Sequence, residues 1–250
     1  MKDSRFTIAV VGDFQRGKST LVNALLGLDS ATMGQGLSTT HENTAYALSS
    51  DVSIIDTPGF DANNEDDGTA AAAVDMANII MYVHESKALG DSGTSVFKQV
   101  REQGKRIVFI LNCLNFAKWS PNENADIVAT IEAELDAKGF LPSVLPVAGQ
   151  IVLPINVLWA RFGLGMVIDP LDEKRIRLYA NDDLGLQVAE MSADCLFAEM
   201  LSRSGFPSIR DFLNNLPSEL LKIAVENPQR EIDRIVDRFA IELKKRQNAA

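Results

Sequence analysis

Apolar and polar positions alternate along this chain in two distinct rhythms. Continuous apolar runs suited to strands occupy Phe6 to Val11, Ile79 to Val83, Ile107 to Leu111 and Ile151 to Val157. Two shorter runs, Thr44 to Leu48 and Val52 to Ile55, are joined by the turn Ser49-Ser50-Asp51. Between these runs the spacing turns helical, from Thr20 to Leu26, near Ser95 to Glu102, and from Asn124 to Lys138, where Ile127, Ile131 and Leu135 share one face. Strands buried on both faces read as unbroken apolar runs, and helices between them predict a largely parallel α/β sheet. From Pro217 the chain reads as helical. Pro228 starts a second helix, in which Ile232, Ile235, Val236, Phe239 and Leu243 form one apolar stripe. That stripe suits either packing on its own domain or one member of a helical bundle. The predicted division is therefore 1–216 for the α/β domain and 217–250 for a C-terminal helical segment.

Composition narrows the picture. With 46% hydrophobic residues in 250 the chain can bury a sizeable core. A net charge of −10 is poorly suited to covering a polyphosphate surface, so nucleic acid is not an expected partner. Cys113 and Cys195 lack metal-ligand spacing and read as reduced, buried thiols, which suits a cytoplasmic protein. The start, Met1 to Phe6, lacks the apolar core of a signal peptide. The most apolar stretch, Ile151 to Ile168, carries Pro154, Asn156 and Arg161, which argues for a buried strand and a turn of helix rather than a membrane span.

The chemistry begins where the first strand ends. Gly12-x4-Gly17-Lys18-Ser19 fits G-x-x-x-x-G-K-[ST] between a strand and a helix. Glycines there permit close backbone approach, and the N–H groups of the loop and helix start favour phosphate oxygens. The expected nucleotide-binding stretch is Gly12, Asp13, Phe14, Gln15, Arg16, Gly17, Lys18, Ser19 and Thr20. Lys18 would contact the β- and γ-phosphates, and the Ser19 hydroxyl would ligate Mg2+. Asp56-Thr57-Pro58-Gly59 follows another apolar strand. Asp56 is placed to hold a magnesium-bound water, and Gly59 to offer its N–H to a γ-phosphate. Between the two loops, Thr40, ahead of Thr39, is the hydroxyl expected at the metal. The fold these features define is a P-loop NTPase three-layer sandwich with a mostly parallel central sheet, plus C-terminal helices.

The run Val10 to Gly27 (VVGDFQRGKSTLVNALLG), the Ser38-Thr39-Thr40 stretch and Asp56 to Phe60 (DTPGF) resemble the GTPase domain of the bacterial dynamin-like proteins. The likeness is good over about the first half of the chain and weaker from Ala148 to Leu216. It implies GTP hydrolysis to GDP, a helical bundle, a homodimer paired across the nucleotide face, and membrane association through regions beyond this sequence, so that the protein would sit in the cytoplasm or at a membrane's edge. In place of the family's Asn-Lys-x-Asp, this chain reads Asn112-Cys113-Leu114-Asn115. Cys113 offers less surface over a base than a lysine stem. Asn115 turns an amide donor toward guanine's donors, so guanine selectivity should be weak. Asn156 is a further candidate base contact.

Phosphoryl transfer to water needs positioning and charge stabilisation. Phe60 and Asp61 stand where small GTPases often carry glutamine. In the dynamin relatives that this chain resembles, the phosphate loop itself supplies catalytic help, which implies Gln15 at the water or the β–γ bridge and Arg16 at the developing charge, within the chain or across a dimer, beside Lys18 and Thr40. A nucleotide-binding switch with negligible hydrolysis and relaxed base specificity, acting through a partner of the C-terminal helices, is the alternative; a small ribosome-assembly GTPase is a third reading, against which the net acidity counts. Asn63 to Gly68 lacks the glutamate of a calcium loop and reads as a solvated segment. His41, His84, Phe116, Trp119 and Trp159 read as packing or surface residues.

Overall fold

A computed structural model describes residues 6–13, 15–27, 43–59, 64–85, 91–103, 105–113, 125–137 and 152–226. Its strands are β1 (Phe6–Val11), β2 (Thr44–Ala47), β3 (Val52–Asp56), β4 (Ile79–His84), β5 (Arg106–Asn112) and β6 (Val152–Ile155). They form one six-stranded sheet in the order β2-β3-β1-β4-β5-β6. Only the β2–β3 pair is antiparallel; every other pair is parallel. The helices, in chain order, are α1 (Lys18–Leu26), α2 (Asn64–Met76), α3 (Asp91–Glu102), α4 (Ala125–Ala137), α5 (Val157–Gly163), α6 (Pro170–Asp182), α7 (Ala193–Arg203) and α8 (Phe206–Glu226).

Alternation along the strands explains the layering. Ala9 and Val11, Ile80 and Tyr82, and Ile107, Phe109 and Leu111 fall in one buried cluster with Ala70, Ala73 and Val74 of α2, Phe97 and Val100 of α3, and Ile131 and Leu135 of α4. Ile8, Val10, Met81, Val83, Val108 and Ile110 alternate with them and are equally buried. α1 packs on β1 and β3. Every residue of β4 and β5 is buried, as expected of strands covered on both faces.

The expected strands and the helices α1, α3 and α4 are present, as is the helical turn after β6. Two expectations need correction. Asn63 to Gly68 reads as a solvated segment, but α2 starts at Asn64. The helix-favouring alanines that follow, with Ala70 and Ala73 fully buried, carry it. Cys195 is exposed, and only Cys113 is buried. The chain divides into compact units of residues 1–208 and 209–250, inside the first turn of α8, and α8 itself runs unbroken through the expected boundary at Leu216 and Pro217. The apolar stripe beyond Pro228 lies outside the described residues. Among the described residues no helix is long and apolar enough to cross a membrane.

The order of strands places the site. From β1 the chain passes to β2 and β3 on one side of β1, then returns to β4 on the other. Parallel sheets gather ligands at such a switch point, outside the carboxyl ends of the strands. The Gly12–Ser19 loop leaves β1 there.

Candidate functional site: a phosphate loop at the end of β1

Local geometry requires the glycines of the loop. Gly12 has φ 148°, and a Cβ on it would lie 2.1 Å from the Val83 carbonyl oxygen of β4. Gly17, at φ 87°, caps α1, where a Cβ would come within 2.5 Å of Asn112 Nδ2. Gln15 is left-handed too, at φ 57°, the one such non-glycine residue among those described. These torsions curl the backbone so that α1 begins immediately at Lys18 with its first N–H groups free of helical partners.

Lys18 is buried, and its Nζ donates to the Asp13 carbonyl at 2.9 Å. Burial holds its ammonium down at a pKa of about 8, against the opposing pull of Asp56 and Asp13. Asp56, at the end of β3, is 1% exposed. Burial raises its carboxyl pKa to about 6, while the Ser19 hydroxyl, the Lys18 charge and the Thr57 N–H favour its ionised form. Thr57 Oγ1 donates to the Val10 carbonyl at 2.9 Å, which ties the start of the second loop to β1. Pro58 and Gly59 are buried beside it.

Asp56 Oδ1 is buried without a hydrogen-bond partner among the described residues. An orphaned carboxylate oxygen next to a serine hydroxyl is a hard-oxygen donor set, and it fits Mg2+. Ser19 would ligate the ion directly and Asp56 through water.

The base-side residues do structural work. Asn112 is 2% exposed; its Nδ2 donates to the Arg16 carbonyl at 2.9 Å, and its Oδ1 accepts from the Val157 N–H at 3.3 Å. One side chain thus joins the phosphate loop to the start of α5. Asn156 is fully buried and caps α5, its Oδ1 accepting from the Trp159 N–H at 3.1 Å. Its Oδ1 is thus engaged by the helix start, while its buried Nδ2 has no hydrogen-bond partner among the described residues. Cys113 is buried with its thiol pushed up to about 11, by burial first and the Glu85 charge second. It is held by its N–H on the Ile155 carbonyl at 2.8 Å. Phe14, Thr40 and Asn115 lie outside the described residues.

Three β4-side neighbours of the loop, Tyr82, His84 and Glu85, have no signal in the local sequence pattern. Arg16 Nη1 forms an ion pair with Glu85, just past β4. Asp13 Oδ1 accepts from the Tyr82 hydroxyl at 3.1 Å, and Asp13 Oδ2 lies 3.5 Å from His84 Nδ1. The strand register carries the signal for all three: Val11 pairs with Tyr82, so the loop must emerge beside His84 and Glu85.

Loop, strand order and acid–lysine arrangement together define a P-loop nucleoside-triphosphate-binding domain. Residues 7–113 match the family described as 50S ribosome-binding GTPase. The GTPase Der of Rhizobium etli (strain CIAT 652) is 30% identical over 117 residues, 43% of this chain and 25% of that protein. The tRNA modification GTPase MnmE of Campylobacter curvus is 31% identical over 116 residues, 43% of this chain and 26% of that one. The chain thus spans about a quarter of the length of the curated relatives it matches. Among solved structures, Era of Aquifex aeolicus bound to GDP and aluminium fluoride aligns with TM-score 0.48 and 18% identity, over 69% of this chain and 55% of that one.

Proposed function

We propose that this chain is a magnesium-dependent GTP-binding domain that hydrolyses GTP to GDP and phosphate. The observation that carries the reading is the pairing of a curled Gly12–Ser19 loop with the buried, mutually opposed Lys18 and Asp56. The GTPases matched over residues 7–113 support guanine as the base. Lys18 and the loop N–H groups would hold the β- and γ-phosphates, and Gly59 would donate to the γ-phosphate. Magnesium, when bound, would neutralise triphosphate charge. Gln15 is the residue proposed to orient water, and Thr40 the hydroxyl proposed for the metal.

One observation favours weak hydrolysis as a second reading. Arg16, the candidate for stabilising charge at the phosphates, is engaged by Glu85. A nucleotide-bound switch that turns over slowly fits that arrangement. Dimerisation across the nucleotide face and work at a membrane rest only on the dynamin-like motif resemblance; the relatives matched are of the Der and MnmE kinds. The net charge of −10 argues against a broad RNA-binding surface.

Calorimetric titration with GTP, ATP and XTP analogues plus magnesium, followed by single-turnover hydrolysis at low and high protein concentration, tests the reading. Tight magnesium-dependent binding of GTP supports it. Preference for another base, or no binding, removes it. Turnover that rises with protein concentration supports pairing, and turnover near the uncatalysed rate leaves the switch.

A further inference from the structure

We propose that Tyr82 and His84 of β4 are positioning residues of the nucleotide site, acting through Asp13. The inference rests on the reading of the loop as a nucleotide site. Asp13 is engaged through both its side chain and its main chain by groups that bear on the site. Its carboxylate takes the Tyr82 hydroxyl at 3.1 Å on Oδ1 and stands 3.5 Å from His84 Nδ1 on Oδ2. Its carbonyl accepts the Lys18 ammonium at 2.9 Å. The orientation of this peptide therefore decides where the ammonium starts from when phosphate arrives.

Both β4 side chains are rigidly set. Tyr82 is fully buried and His84 is 3% exposed. The Tyr82 ring lies 5.3 Å from that of Phe97 and 5.7 Å from Phe109, and the His84 ring 5.4 Å from Phe109. An acidic side chain in an anion-binding loop is a liability unless it is turned from the phosphates. The clasp holds the carboxylate against β4, on the Tyr82 hydroxyl and within 3.5 Å of His84 Nδ1. A purely structural role would predict that loss of the clasp costs stability; a positioning role predicts a loss of nucleotide affinity that depends on Asp13.

The test is a double-mutant cycle on binding of a fluorescent GDP analogue with magnesium, with melting temperature measured in parallel. Tyr82→Phe keeps the ring in its aromatic setting and removes only the hydroxyl. It should weaken binding by about three- to tenfold, the range of one hydrogen bond, with little change in melting temperature. In an Asp13→Ala background the same substitution should add nothing. Asp13→Leu, of similar shape but with no oxygen to accept from the Tyr82 hydroxyl, serves should the alanine variant fail to fold. His84→Gln should also weaken binding, and its effect should likewise vanish without Asp13. Unchanged affinity in Tyr82→Phe and His84→Gln, or equal losses with and without Asp13, would overturn the inference while leaving the nucleotide reading intact. A wild type that binds no nucleotide overturns both.

Discussion

Asp56→Asn should make the protein more stable and less able to hold its nucleotide. The Asp56 carboxyl titrates near 6 instead of 3.8, because burial penalises its charge more than Ser19, Lys18 and Thr57 together compensate. That displacement is about two pH units at roughly 1.4 kcal/mol each, so the ionised carboxylate costs the empty protein about 3 kcal/mol at neutral pH. The pull of Lys18 is already inside this figure. The sign follows from proton counting. Between pH 3.8 and about 6 the folded state holds more protons than the unfolded chain, so stability falls as pH rises through that window and stays low above it. An asparagine keeps an oxygen for the Ser19 hydroxyl and Thr57 N–H but carries no charge to desolvate. Urea unfolding without nucleotide should show Asp56→Asn more stable by about 1–3 kcal/mol at pH 7.5, with the gap narrowing to about half at pH 5. Groups not coupled to Asp56 titrate alike in both proteins and cancel; Lys18, which the Asp56 charge holds up, loses that support in the variant. The same variant should lose magnesium-dependent affinity, the exchange of function for stability expected at a destabilised site. Equal or lower stability of the variant at pH 7.5, or a gap that does not change with pH, would refute the reasoning.

Three further outcomes follow from the same geometry. Asn112→Ala leaves the Arg16 carbonyl and the Val157 N–H without their partner and should cost about 2 kcal/mol, or roughly 4–8 °C in melting temperature, measured by calorimetric or fluorescence melting. Gly17→Ala places a Cβ 2.5 Å from Asn112 Nδ2 at φ 87°; it should lower stability by at least about 1 kcal/mol and weaken binding of a fluorescent GDP analogue by tenfold or more. Chelating magnesium should reduce affinity for a non-hydrolysable GTP analogue by at least about tenfold, measured by calorimetry, since the orphaned Asp56 oxygen then has no cation to serve.

The sheet and the phosphate loop were legible because each depends on local pattern. β4 and β5 are continuous apolar runs, and Gly12, Gly17, Lys18 and Ser19 are bound by spacing alone. What could not be read is what meets across the sheet. Asp13 and Tyr82 are 69 positions apart, and only the parallel register of β1 with β4 brings them together. Arg16 met Glu85 for the same reason. Asn112 is expected at a base from its place at the family's Asn-Lys-x-Asp position, and Asn156 from the end of the last strand. Backbone groups at those same ends also need partners, and α5 claims both amides. The acidic run Glu65 to Asp67 concealed the first turn of α2, since its polar residues match a loop in composition while the buried alanines behind them decide the structure.

The charges around the loop explain how an acidic chain can still suit a triphosphate. Among the described residues, Asp13, Asp56 and Glu85 face Lys18 and Arg16, three carboxylates against two cations. Side-chain charge alone would therefore repel the ligand. Two of the three carboxylates have side-chain partners: Glu85 in Arg16, and Asp13 in the Tyr82 hydroxyl, with His84 Nδ1 3.5 Å away. The third, Asp56, has a buried oxygen with no hydrogen-bond partner among the described residues. On the proposed reading, phosphate would be attracted by the row of N–H groups entering α1, the Lys18 ammonium, and a divalent cation that Asp56 and Ser19 would hold. Attraction is thus confined to a few ångströms within a negative surround, which favours a metal-bound triphosphate over polyanions that need a broad basic face. Local geometry, and not net charge, sets what this site can hold.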